Sequence, residues 1–163
     1  MRFLFSFEVF AILFVVIFSV EVKADLGRET GLRVPRFVSM NSAKVNLRAG
    51  PGMRYPIQWI FQRKSLPVQI IAESDKWRKI RDFEDIEGWV HQSMLSGRRY
   101  AIVVGAIRQL KRASSSASKT IALLEPGVIV RLEKCAGIWC FVEAEPYDGW
   151  INRTNIWGVD KNE

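Results

Sequence analysis

Few residues in this chain could do chemistry. It has one histidine, His91, and two cysteines, Cys135 and Cys140. Nucleophilic catalysis needs an activated group held beside a base. A dyad joining His91 to Cys140 would have to cross between two different structural units. Paired carboxylates for sugar hydrolysis could be drawn from Asp82, Glu84, Asp85 and Glu87, but that run reads more simply as a solvated acidic turn. One histidine and a single cysteine pair do not suit zinc. Cys135 and Cys140 flank an Ala-Gly turn, so they could close a tight hairpin with a disulfide; two reduced thiols are the alternative. The expectation is a protein without catalysis, metal or cofactor, in which His91 is a polar surface or capping residue.

The elements that carry these residues occur twice. "LPVQIIAESDKWRKIRDFEDIEGWVHQSMLSG", residues 66–97, aligns with "EPGVIVRLEKCAGIWCFVEAEPYDGWINRTNIWG", residues 125–158. Val68 falls on Val128, Trp77 on Trp139, Ile80 on Val142 and Gly88-Trp89-Val90 on Gly149-Trp150-Ile151. So steady a shift indicates duplication of a unit about 60 residues long. Short apolar or alternating runs separated by polar and Gly-containing turns predict strands, arranged as small barrels or sandwiches. The helical candidates are single turns near "HQSML" and "NRTNI". The join, "SGRRY", is short enough to lay the units against each other.

"VNLRAGPG" adds a strand with Val45 and Leu47 on its buried face and Asn46 and Arg48 on its wet face. In the turn that follows, Pro51 presets φ for the second position, and Gly52 is expected to take the positive φ that a type II turn needs next. Arg48 could fix a carboxylate bidentately, or pin its own loop through backbone carbonyls.

"VNLRAGPGMRYPI", "WRKI" and "GWVHQSML" together resemble the bacterial SH3-like (Src homology 3) family. The resemblance spans residues 37–97, and residues 98–160 share only the two later motifs; there "KRASSSASKT" stands in place of Gly-Pro-Gly and reads as a flexible loop without the stiff turn. The family implies an all-β chain of two tandem, strongly bent small barrels. It also implies non-catalytic recognition of cell-wall peptides or envelope proteins. The domain layout is then 1–24 signal peptide, 25–36 tail, 37–97 first barrel and 98–160 a divergent second barrel.

Ligand contacts are expected from aromatic residues. Strict alternation sets Trp77 against Ile80, Trp89 against Val90, Trp139 against Val142 and Trp150 against Ile151. If the aliphatic residues fill the barrels, Trp77, Trp89, Trp139 and Trp150 face outward. With Tyr55 and Arg48 they would line ligand grooves, or the tryptophans could weld the two modules together.

Residues 1–24 combine a basic start, a long apolar run and a Val-Lys-Ala end, the pattern of a cleaved secretory signal. Export to the periplasm or beyond is expected, with membrane attachment only if that segment is retained. The net charge of +7 favours anionic surfaces. No recognition-helix pattern supports nucleic acid.

Overall fold

The structure, a computed structural model, describes residues 25–160. The signal segment 1–24 lies outside them. The strands are β1 (Asp25–Leu26), β2 (Arg33–Val34), β3 (Arg36–Met40), β4 (Val45–Arg48), β5 (Ile57–Phe61), β6 (Pro67–Ser74), β7 (Trp77–Arg81), β8 (Glu87–His91) and β9 (Leu95–Ser96). They continue as β10 (Tyr100–Val103), β11 (Arg108–Lys111), β12 (Thr120–Leu124), β13 (Ile129–Ala136), β14 (Trp139–Ala144), β15 (Tyr147–Asn152) and β16 (Ile156–Trp157). Single 3₁₀ turns at Gln92–Met94 and Arg153–Asn155 occupy the two places where a helical turn was expected.

The duplication is complete at the level of strand pairing. One seven-stranded sheet runs β5-β4-β8-β7-β6-β3-β9 and the other β12-β11-β15-β14-β13-β10-β16, the same order strand for strand. Each is all-antiparallel and curls around its own apolar interior. Val45, Leu47, Val68, Ile80 and Val90 fill the first; Leu110, Val130, Val142 and Ile151 fill the second. These are the inward members of alternating strands, removed from water by the pleat itself.

The Gly-Trp pair shared by both units has a steric cause. A Cβ on Gly88 would lie 2.6 Å from Leu47 Cγ and 3.0 Å from the Arg48 carbonyl, and one on Gly149 would lie 2.6 Å from the Lys111 carbonyl. Only glycine lets β8 and β15 approach β4 and β11 so closely.

The barrels share an interface. Ile102 of β10 is fully buried against the core of the first barrel, and Val104, Ile129 and Trp157 pack there too. Phe37 meets Trp157 edge to face at 4.9 Å, and Arg99 lies over Phe37. Arg63 donates to the Gly127 carbonyl at 2.6 Å. Within the segment 25–36 expected as a tail, residues 25–34 form a β1–β2 hairpin docked onto Glu73.

Candidate functional site

In both barrels the inner strand leads into a loop that overhangs the outer face. After β4 the loop mouth is closed by the Ala49 N–H donating to the Pro56 carbonyl at 3.1 Å. Gly52 N–H donates to the Gly50 carbonyl at 2.9 Å, a three-residue turn centred on Pro51, and Tyr55 N–H donates to the Gly52 carbonyl at 3.2 Å. The fixed φ of proline suits that tight turn. Gly52 does not take the positive φ expected of it. Ring packing explains the glycine at position 50, where a Cβ would meet the Tyr55 ring at 2.5 Å. Arg48 pins this loop: its Nη1 donates to the carbonyls of Met53 at 3.1 Å and Tyr55 at 2.7 Å.

The serine-rich loop after β11 corrects the sequence expectation. It repeats the same three backbone bonds: Arg112 N–H to Lys119 carbonyl, Ser115 N–H to Ala113 carbonyl and Ser118 N–H to Ser115 carbonyl. Ser118 Oγ adds an acceptor for the Ala113 N–H at 2.9 Å. Hydroxyl groups here stabilise the turns that proline and glycine shape in the first unit.

Beneath the first loop lies a cleft of about 260 Å³ lined by Lys44, Asn46, Arg48, Met53, Trp77, His91 and Met94. Trp77 lies opposite His91 in the β7–β8 register, and their rings meet edge to face at 5.5 Å. His91 Nδ1 accepts the Ser93 N–H at 3.3 Å and lies 2.7 Å from Ser93 Oγ, so this histidine caps the 3₁₀ turn. Asn46 lines the cleft, and its Oδ1 is buried without a hydrogen-bond partner among the described residues. An unpaired buried acceptor is costly to the fold.

The second barrel has a cleft of about 320 Å³ at the matching place, lined by Ile107, Arg108, Gln109, Lys111, Ser116, Trp139, Asn152 and Asn155. Strand register makes Gln109 the counterpart of Asn46, Lys111 of Arg48, Trp139 of Trp77 and Asn152 of His91. Asn152 caps its own 3₁₀ turn, Oδ1 accepting from Thr154 N–H and Oγ1.

The four tryptophans therefore separate into two pairs. Trp77 and Trp139 line the clefts; Trp89 and Trp150 do not. Trp77 lies outside the barrel interior as alternation required, but the overhanging loop and the 3₁₀ turn leave it only 9% exposed, so it is a cleft wall rather than an outward platform. Trp89 is half-buried beside Arg48 and Lys79 on neighbouring strands. Trp150 packs against Phe141 at 5.4 Å, with the Lys134 ammonium over its ring. Tyr55 is half-buried over Gly50, with the Arg54 guanidinium 5.2 Å from its ring, and does not line the cleft.

Asn46, Met53 and Met94 line the cleft without any sequence pattern that marks them for it. The same holds for a separate surface on edge strand β5, where Ile57, Trp59 and Ile60 are 45%, 48% and 42% exposed. The acidic run is not a uniformly solvated loop. Asp82 is buried and its Oδ1 accepts the Glu84 and Ile86 N–H groups. Lys79 first, then Arg81, hold Glu87 below the usual carboxylate range.

At one end of the first barrel, Glu73 has a fully buried carboxylate paired with Arg36 at 2.6 Å and Arg78 at 3.6 Å. Burial pushes its pKa up. Hydrogen bonds from Arg36, from the Thr30 hydroxyl and from the Thr30 and Glu29 N–H groups outweigh that and bring it down to about 2. Cys135 and Cys140 form a disulfide.

Among solved structures the chain is similar to NlpC2 and NlpC1 from Trichomonas vaginalis, at 12% and 10% identity, each with a TM-score of 0.35. The matches cover 77% and 80% of this chain but 50% and 48% of those proteins, so it spans about half their length. No curated protein matches it. A family model, Bacterial SH3 domain, matches residues 41–97 and again 107–158. Two consecutive matches over most of the chain, each on a barrel of identical strand order, make it a tandem member of the bacterial SH3 domain family.

Proposed function

We propose that this protein is an exported, non-catalytic recognition protein that reads a short cell-wall peptide through the Trp77 cleft. The observation that carries the reading is Asn46. Its side chain lines a cleft walled by Trp77, Met53 and Met94. It carries a buried Oδ1 with no hydrogen-bond partner among the described residues, which a ligand N–H reaching that wall would satisfy. The thioethers and indole supply adaptable apolar contact. Lys44 at the rim suits a ligand carboxylate. The family, the disulfide and the apolar N-terminal segment all fit work outside the cytoplasm.

Co-sedimentation with purified peptidoglycan tests this. Retention of the wild-type chain and loss of retention for Asn46→Val support the reading; equal retention of both defeats it. A second reading, a structural subunit of an envelope complex, draws on β5. Among the described residues this strand pairs only with β4, and it exposes Ile57, Trp59 and Ile60, a surface to which an extended partner segment could add a strand. An envelope-protein partner whose capture is lost on Ile60→Lys, with Asn46→Val silent, would favour it.

A further inference from the structure

We propose that the Trp139 cleft is a second, separate binding site, and that it takes a carboxylate. The cleft has the first one's framework: the same strand register, the same loop bonds and an indole at the same position. Its chemistry differs. Met53 and Met94 are replaced by Ser116 and Asn155, and His91 by Asn152.

Hydrogen bonding fixes which way the polar groups point chemically. Lys111 Nζ donates to Thr120 Oγ1 at 3.0 Å, and that hydroxyl donates onward to Gln109 Oε1 at 3.2 Å. The carbonyl end of Gln109 is thereby engaged, and its amide N–H groups have no partner among the described residues. Asn152 is arranged likewise: Oδ1 accepts from Thr154 N–H and Oγ1, which leaves its Nδ2 donors free. Gln109 Nε2, Asn152 Nδ2, the remaining Lys111 N–H groups and the Arg108 guanidinium give a donor-rich cleft, and no acidic side chain lines it. Such a wall matches an acceptor-only, negatively charged group, with Trp139 and Ile107 covering the apolar part of the ligand.

This site does not depend on the Trp77 cleft binding anything. The test uses the full chain and two probes, N-acetyl-alanyl-alanine and glucuronate, each against its neutral amide, followed in amide and indole ¹⁵N–¹H spectra. The proposal expects an acid to move the side-chain signals of Gln109 and Asn152 and the Trp139 indole, and its amide to bind roughly tenfold more weakly, the scale of one charge-assisted hydrogen bond. Gln109→Glu keeps the shape and the bond from Thr120 but places an anion in the cleft. It should abolish the shifts while the rest of the spectrum stays put, and Trp77→Phe should leave them intact. Dipeptide binding alone assigns a peptide carboxylate; glucuronate binding alone assigns a sugar acid. Equal binding of acid and amide, no shifts with either probe, or unchanged binding in Gln109→Glu overturns the proposal.

Discussion

Cys135 and Cys140 face each other across the β13–β14 hairpin at the two register positions that hold Glu73 and Arg78 in the β6–β7 hairpin. One barrel ties this hairpin covalently and the other electrostatically. The two ties respond to different solution conditions, so the barrels can be loosened one at a time.

Reduction should act on the second barrel. The disulfide closes a very short loop, for which the chain-entropy estimate is about 2 kcal/mol. Cys135→Ser/Cys140→Ser, or thiol reductant with the wild type, should lower the urea midpoint by a corresponding amount, and Trp139 and Trp150 signals should report the change first. An unchanged midpoint would contradict this.

Acid should act on the first barrel. The folded pKa of Glu73 is depressed from 4.5 to about 2, so its contribution is fully present above the unfolded value and is lost as pH falls through the folded one. The shift corresponds to about 3 kcal/mol, expected to fade between roughly pH 5 and 2. Glu73→Gln should flatten that part of the stability–pH profile. It should also be strongly destabilising at neutral pH, because Arg36 and Arg78 lose their buried anion. Release of the β1–β2 hairpin would appear as new proteolytic cleavage near residue 30.

Asn46→Val should separate stability from binding. Removing an unsatisfied buried acceptor from a strand should raise stability by about 1 kcal/mol, while peptidoglycan retention falls. A variant that both destabilises and releases ligand would point to a structural role instead.

Arg48→Lys keeps the charge but lacks the longer, planar guanidinium whose Nη1 donates to both the Met53 and Tyr55 carbonyls. Faster hydrogen exchange across residues 49–56, with β-sheet amides unaffected, is the expected result. If Arg48→Lys binds as weakly as Arg48→Gln, this arginine works by holding the loop rather than by meeting the ligand's charge.

The two inter-strand glycines should differ in severity. Alanine at Gly149 meets the Lys111 carbonyl at 2.6 Å, whereas at Gly88 the nearest atom is Leu47 Cγ at 2.6 Å and the nearest backbone atom, the Arg48 carbonyl, lies at 3.0 Å. Gly149→Ala should cost roughly 1–3 kcal/mol, and more than Gly88→Ala, by denaturant titration.

The duplicated frame was legible because alternation and glycine spacing are local. Val68, Ile80 and Val90 face inward for reasons contained in their own strands. The fate of Trp77 was not legible, because its cover comes from the loop after β4 and the turn at residues 92–94, which only the fold brings to it. The serine-rich loop misled for a related reason. Its turns are made by main-chain bonds and one Ser118 hydroxyl, and composition alone suggested looseness. Asn46 read as an ordinary wet-face residue, since nothing in its neighbourhood along the chain reveals that its oxygen is left unpaired. Ile57, Trp59 and Ile60 were passed over because an edge strand with both faces open has no periodic signature.

The placement of Ile102 makes the two barrels depend on each other. A residue of the second unit completes the interior of the first, so severing the chain between them would leave a hydrophobic hole on one side and a bare side chain on the other. Either half expressed alone should therefore be less stable than it is within the intact pair.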